Sequence, residues 1–171
     1  MKILLIYKSK TGFTEKYARW ISEEINCDVE NISNLKNIDL KSYDLLIYGS
    51  RIHAGKIDGL NKIKKLKFKN KLIIFATGAT PKETDSIKDV WKNNLSEIEL
   101  KNIKHFYIPA GLNYEKMGIL DKMIMKMFAI ILGKAKNKSA EDICMQNAIK
   151  KSYDISNKSR IKTLVDYIKS L

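Results

Sequence analysis

The 171-residue sequence predicts a doubly wound α/β fold in which a five-stranded parallel sheet lies between two layers of helices. Three observations predict it. Three short runs rich in Ile and Leu, KILLIY at 2–7, DLLIYG at 44–49 and KLIIFAT at 71–77, read as strands buried on both faces. Between them lie segments with apolar residues at helical spacing. Strand and helix alternate five times, the pattern of a parallel sheet with helices on both sides.

Each element has its own signal. After the first strand, residues 14–25 put Tyr17, Ala18, Ile21 and Ile25 on one helical face, with Thr14 placed to act as N-cap. A weaker strand follows at 27–32, then an irregular turn or short helix over 32–43. Leu60, Ile63 and Leu66 mark a helix at 58–66, and Ile87, Val90, Trp91 and Leu95 mark one at 84–96. A fifth strand is expected at 103–109. The last helix, 159–171, carries Ile161, Leu164, Val165, Ile168 and Leu171, with Ser159 near its start. Residues 110–157 are far too many for a simple link from strand to helix. They read as a helical insertion, of about 110–157, within one domain spanning 1–171.

Composition narrows the class. Only two cysteines are present, Cys27 and Cys144, which argues against a disulfide framework or zinc site and fits a reducing cytosol. Cys27 is expected to face the core. Neither a signal peptide nor a membrane span is expected. The net charge is +13, and 29 of the 32 basic residues are lysine. A solvated surface accounts for that charge, and so does attraction to anionic lipid or acidic partners. Nucleic acid is not expected, because neither an Arg-rich stripe nor a binding motif is found.

The stretch SKTGFT, residues 9–14, stands between the first strand and the first helix. Ligands of open α/β sheets bind beyond the carboxyl ends of the strands. Unpaired N–H groups and the dipole at a helix start favour an anion there. Gly12 permits close approach, and the hydroxyls of Ser9, Thr11 and Thr14 can donate hydrogen bonds. The loop lacks the Gly-Lys-Ser/Thr ending of a Walker motif and has one glycine where a dinucleotide fingerprint needs three. An ordinary Ser/Thr-rich turn with an N-cap is the alternative.

The loop Ser9-Lys10-Thr11-Gly12-Phe13-Thr14 resembles the T/S-x-T-G-x-T loop of flavodoxins, which holds the phosphate of FMN. The order of strands and helices resembles that family along nearly the whole chain. The resemblance implies strand order 2-1-3-4-5, with the mononucleotide at the switch between strands one and three. It also implies that the loops after strands three and four clasp the isoalloxazine ring. Those loops are Gly49-Ser50-Arg51-Ile52-His53-Ala54-Gly55 and Thr77-Gly78-Ala79-Thr80-Pro81, whose N–H and C=O groups would face the ring edge. Gly55 is the candidate for a peptide that reorients with the flavin's redox state. Common flavodoxins stack Trp or Tyr on the ring, and these loops contain neither. His53 is their one aromatic ring, and Arg51 would bring positive charge near the flavin; a surface histidine, and for Arg51 a solvated charge or a salt bridge, are the plain alternatives. One flavin face would then be open to a substrate or partner.

Within the insertion, residues 117–133 form an amphipathic, very apolar helix too short to span a bilayer. Asp121, Lys122, Lys126, Ala129 and Gly133 share one side; Leu120, Met123, Ile124, Met127, Phe128, Ile130 and Ile131 fill the other. Three uses compete: an extra core helix, a cover for the flavin or a flat apolar ligand, and a membrane-surface helix. The stretch GILDKMIMKM, 118–127, with the preceding AGLNYEKMG and the basic charge, resembles the flavodoxin-type protoporphyrinogen IX dehydrogenases of bacterial haem biosynthesis. That likeness implies an FMN-dependent oxidoreductase that oxidises a flat apolar donor and passes electrons to a quinone. Its expected location is cytoplasmic, or peripheral at the anionic inner face of the cell membrane. An electron-carrier flavodoxin docking on redox protein partners is the alternative. A flavin-free module for anionic surfaces is a third, resting on Lys56, Lys62, Lys64, Lys65, Lys67, Lys69 and Lys71. No side chain is singled out as catalytic, and no metal is expected.

Overall fold

A computed structural model of the protein describes residues 1–66, 68, 70–81, 83–134 and 149–171. Lys67, Lys69, Cys144, the 135–148 part of the insertion and the Phe128 side chain lie outside the described residues.

Among the described residues, five parallel strands make the central sheet: β1 (Ile3–Lys8), β2 (Asp28–Asn31), β3 (Leu45–His53), β5 (Lys71–Gly78) and β6 (Lys104–Pro109). Their order is β2-β1-β3-β5-β6, which is 2-1-3-4-5 when the parallel strands alone are counted. Register brings Ile6 beside Tyr48 and Tyr48 beside Ile74. Side chains alternate across the sheet. Ile3 and Leu5 of β1, Leu45 and Ile47 of β3, and Ile73 and Phe75 of β5 enter one core. Helix α1 (Phe13–Ile25) and the last helix, α6 (Lys162–Lys169), cover that face with Tyr17, Ile21, Leu164 and Val165. Leu4, Ile6, Leu46, Tyr48, Ile74 and Ala76 enter the other core, under α2 (Leu60–Lys64) and α3 (Asp85–Asn94). Burial on both faces explains why these strands read as continuous apolar runs. Cys27 packs against the first core, as its sequence suggests.

The structure departs from expectation in four places. The 84–96 helix ends at Asn94, and Ser96 opens a separate helix, α4 (Glu97–Asn102). A capping box causes the break: Glu99 N donates to Ser96 Oγ at 3.3 Å, and Ser96 N donates to Glu99 Oε2 at 2.8 Å. Secondly, Thr14 is not the N-cap of α1. Gly12 holds that place at φ 94°, a left-handed conformation suited to glycine. Thirdly, β3 continues past Gly49 to His53 and folds back through a two-residue turn into β4 (Lys56–Ile57), where a loop was expected. Ala54 and Gly55 both have positive φ, 47° and 74°, as such hairpin turns require. Fourthly, the insertion contributes a two-stranded ribbon, β7 (Gly111–Leu112) with β8 (Tyr153–Asp154), besides its helix α5 (Ile119–Lys134). The 32–43 segment forms two short 3-10 turns, in line with the sequence.

Candidate functional site

The carboxyl ends of β1, β3 and β5 open into a cavity of about 950 Å³. Its first wall is the turn after β1. Gly12 N donates to Ser9 Oγ at 3.1 Å, which closes the turn. The first bond of α1 runs from Lys16 N to Gly12 O at 2.9 Å, so the amides of Phe13, Thr14 and Glu15 have no acceptor within the helix. No side chain caps this end. Lys10, Thr11, Phe13 and Thr14 line the cavity, and the Phe13 ring packs near Gly111. The Thr14 and Thr77 hydroxyls lie 2.8 Å apart and buried, tying the start of α1 to β5.

The second wall is the end of β3 and its hairpin. Arg51, Ile52, His53, Ala54 and Gly55 line the cavity. Ser50 does not: strand alternation turns its side chain into the interior, fully buried, with its hydroxyl 3.5 Å from Lys8 O. Asn94 clamps the hairpin, donating to Gly55 O at 2.9 Å and accepting from Ile57 N at 3.0 Å. Reorienting the peptide that follows Gly55 would break the first of these bonds.

The third wall runs from Thr77 to Pro81. Its carbonyls are engaged by the protein. Gly78 O accepts from Ala110 N at 2.8 Å, Ala79 O from Tyr153 Oη at 2.8 Å, Thr80 O from Tyr107 Oη at 2.7 Å, and Pro81 O from Arg160 Nη1 at 3.2 Å. Burial pushes the Tyr107 hydroxyl up to about 12, which keeps it a proton donor at neutral pH. Each of these carbonyls therefore already accepts one bond within the protein and keeps one lone pair.

The fourth wall comes from the insertion. Met117, Asp121, Ile124 and Met125 line the cavity, as do Leu112, Ile149 and Tyr153. Asp121 is 5% exposed. It accepts from Arg51 Nη1 at 2.9 Å and pairs with Lys10 at 3.0 Å; His53 Nδ1 is 3.8 Å away. Burial would raise the Asp121 carboxyl, but hydrogen bonds from Arg51 and Lys10, with their charges, hold it below the usual carboxylate value. Arg51 Nε also faces Asp58 at 3.6 Å, and Asp58 accepts from Lys8 Nζ at 2.6 Å. Arg51 is thus a partner in an ion network, not a solvated charge. Its Nε is buried without a hydrogen bond.

The orientation of α5 is the main surprise. Asp121 turns into the domain, whereas Ile119, Leu120, Met123, Ile124, Met127, Ile130 and Ile131 are exposed. The helix does not serve as an extra core helix, because the cations of Lys10 and Arg51 draw its carboxylate inward. Sequence reading had placed Asp121 on a polar side with the lysines. It missed Asp121, Met117, Met125 and Tyr153 as cavity residues, and only the apolar, Met-rich character of 117–133 signalled any of them. The lysines around the third strand and its helix are partly committed: Lys64 pairs with Glu99 at 2.6 Å, and Lys56 donates to Asn93 O at 3.1 Å.

The residues present fit FMN. The anion seat at α1, the hairpin and the 77–81 loop surround one cavity of a size that suits a mononucleotide flavin. Lys10 and Arg51 add positive charge beside the seat.

Comparison with known proteins bears on this arrangement. An uncharacterised protein of Methanocaldococcus jannaschii is 38% identical over 87 residues, which is 47% of this chain. The match spans 57% of that relative's length. Among solved structures, the oxidised flavodoxin 2 of Bacillus cereus is 19% identical over 76% of this chain and 96% of that one, with a TM-score of 0.43. A flavoprotein from Lactobacillus acidophilus, solved in complex with FMN, is 16% identical over 63% of this chain and 92% of that one, with a TM-score of 0.44. The family itself rests on a match to the flavodoxin domain model over residues 4–139, which takes in the turn at 9–14, the hairpin, the 77–81 loop and α5. The chain belongs to the flavodoxin domain family.

Proposed function

We propose that this protein is an FMN-binding oxidoreductase that acts on a flat, apolar substrate. The observation that carries the proposal is Asp121, which ties the insertion's apolar helix to both the phosphate turn and β3 through Lys10 and Arg51. Met117, Ile124 and Met125 line the same cavity as His53 and the 77–81 loop. Bound FMN would supply electron transfer to or from such a substrate. The turn at 9–14 would bind its phosphate, and the hairpin and the 77–81 loop would orient its ring. The thioethers and aliphatic chains of the insertion would exclude water and adapt to a broad apolar surface.

The resemblance of GILDKMIMKM, 118–127, to flavodoxin-type protoporphyrinogen dehydrogenases is what supports a protoporphyrinogen-like tetrapyrrole as substrate and a quinone as electron acceptor. The exposed Ile and Met residues of α5, flanked by Lys122, Lys126 and Lys134, also suit peripheral contact with an anionic membrane surface. No helix among the described residues is long and apolar enough to cross a membrane.

The visible spectrum of the purified protein, with FMN titration, tests the cofactor; absence of flavin bands and of FMN binding would sink it. Anaerobic mixing of the flavin-loaded protein with protoporphyrinogen, then with a quinone, tests the substrate. Turnover should fall at least tenfold in a Met125→Ser, Ile124→Ser variant, since each buried methylene carries roughly 0.8 kcal/mol and losing two of the several removed already exceeds the about 1.4 kcal/mol of a tenfold change. Flavin bleaching by protein reductants alone, unchanged in that variant, would favour an electron carrier. The exposed face of α5 would then be its docking surface for a redox protein.

A further inference from the structure

The insertion reaches the phosphate turn at a second point, through a lysine. Lys116 Nζ lies 3.8 Å from the position a Cβ would take on Gly12. In return, Lys10 Nζ lies 3.2 Å from the matching position on Gly118. Two lysines therefore exchange sides: Lys10 of the turn reaches the insertion, and Lys116 of the insertion reaches Gly12 at the uncapped start of α1. They differ in commitment. Lys10 is paired with Asp121 at 3.0 Å. Lys116 has no carboxylate partner among the described residues, and only its backbone N–H is engaged, by Asn113 Oδ1 at 3.0 Å.

The local charges make the same point. Lys8, Lys10 and Arg51 face Asp58 and Asp121, which leaves one positive charge in surplus. Lys116 brings a second. A phosphate monoester carries a charge of about −1.5 to −2 at neutral pH. The dipole of α1 supplies only about half a charge.

We propose that Lys116 is a phosphate-binding residue of the cofactor site, so that the insertion completes the cradle that the turn at 9–14 begins. The proposal rests on the FMN reading and deepens it. Lys116 contributes a charge-assisted hydrogen bond to the phosphate oxygens. Its role is selective for FMN over riboflavin, which has the same ring and no phosphate. It also makes cofactor affinity depend on how the insertion is seated, since Gly118 and Asp121 follow Lys116 by two and five residues in the chain.

The test is titration of the full-length protein, freed of flavin, with FMN and with riboflavin at low and at moderate salt, followed by fluorescence quenching. Lys116→Gln is expected to weaken FMN about fivefold at low salt, the upper range for an exposed ion pair, and to leave riboflavin unchanged. The FMN difference should shrink as salt screens it. Lys122→Gln, which changes an exposed lysine on α5, should alter neither affinity. Three outcomes overturn the proposal: K116Q binds FMN as tightly as the parent, K116Q weakens riboflavin equally, or K122Q weakens FMN as much as K116Q. A parent protein that binds riboflavin and FMN with equal affinity would overturn the phosphate role and leave the flavin reading standing. A parent protein that binds neither flavin would overturn both.

Discussion

Replacing Asp121 with asparagine removes one charge and almost no volume, so it isolates the electrostatic clasp between the insertion and the cofactor loops. The carboxylate is 5% exposed and meets Arg51 at 2.9 Å and Lys10 at 3.0 Å. Breaking a buried ion pair typically costs about 3–5 kcal/mol, because a charge is stranded. Here the partners are better provided for. The Lys10 side chain is 46% exposed and can be rehydrated, and Arg51 keeps Asp58 at 3.6 Å. Discounted for that screening, the loss is about 1–2 kcal/mol. For a chain of this length that is a fall in Tm of about 2–8 °C. The pH dependence follows from the lowered Asp121 carboxyl. A group whose folded-state value lies below its unfolded value of about 3.9 stabilises the protein above that pH. Its contribution disappears as pH falls through the folded value. Thermal unfolding of parent and D121N should therefore show the full gap at pH 6–7 and a narrowing gap below pH 4. Amide exchange in 119–125 should quicken in D121N. Equal melting at pH 7, or a gap that persists unchanged on acidification, would refute the clasp.

Three further outcomes are expected. Tyr17→Phe should cost about 1–3 kcal/mol in denaturant unfolding, because the buried hydroxyl donates to Pro109 O at 2.6 Å and accepts from Asn157 N at 3.2 Å, and both partners are left unpaired. Gly12→Ala should cost about 1–2 kcal/mol through the left-handed backbone at φ 94°, read by the same unfolding assay; an unchanged midpoint would mean the turn tolerates a side chain there. Burial pushes the Cys27 thiol up to about 12, so the folded protein at pH 8 should leave Cys27 unalkylated by iodoacetamide under conditions that modify it fully in denaturant, as read by peptide mass spectrometry.

Much of the fold was legible in local sequence. Ile3 to Ile6 and Leu45 to Tyr48 are buried on both faces of the sheet, and two-sided burial writes itself as an unbroken apolar run. The turn at 9–14 was legible because a helix start that receives an anion needs glycine and hydroxyls at short range. Ser96 and Glu99 carry a capping box that the sequence displays openly, yet the apolar spacing through Leu95 drew the helix two residues too far and hid the second one. The hairpin at Ala54-Gly55 was less accessible. An alanine at positive φ is unusual, and neighbouring strand pairing, clamped by Asn94 from 39 residues away, selects it.

By itself, the sequence determined the order of the main strands and helices and the apolar faces that make the two cores, because each depends on periodicity or on residues within one turn of each other. Only the tertiary structure decided which side of α5 faces the domain. A helical pattern records that one face is apolar and the other charged, without recording what lies opposite. The answer came from Arg51, 70 residues away in the chain, and from Lys10, brought to the same point by the sheet. Their charges make burial of Asp121 favourable and leave the Met-rich face outside.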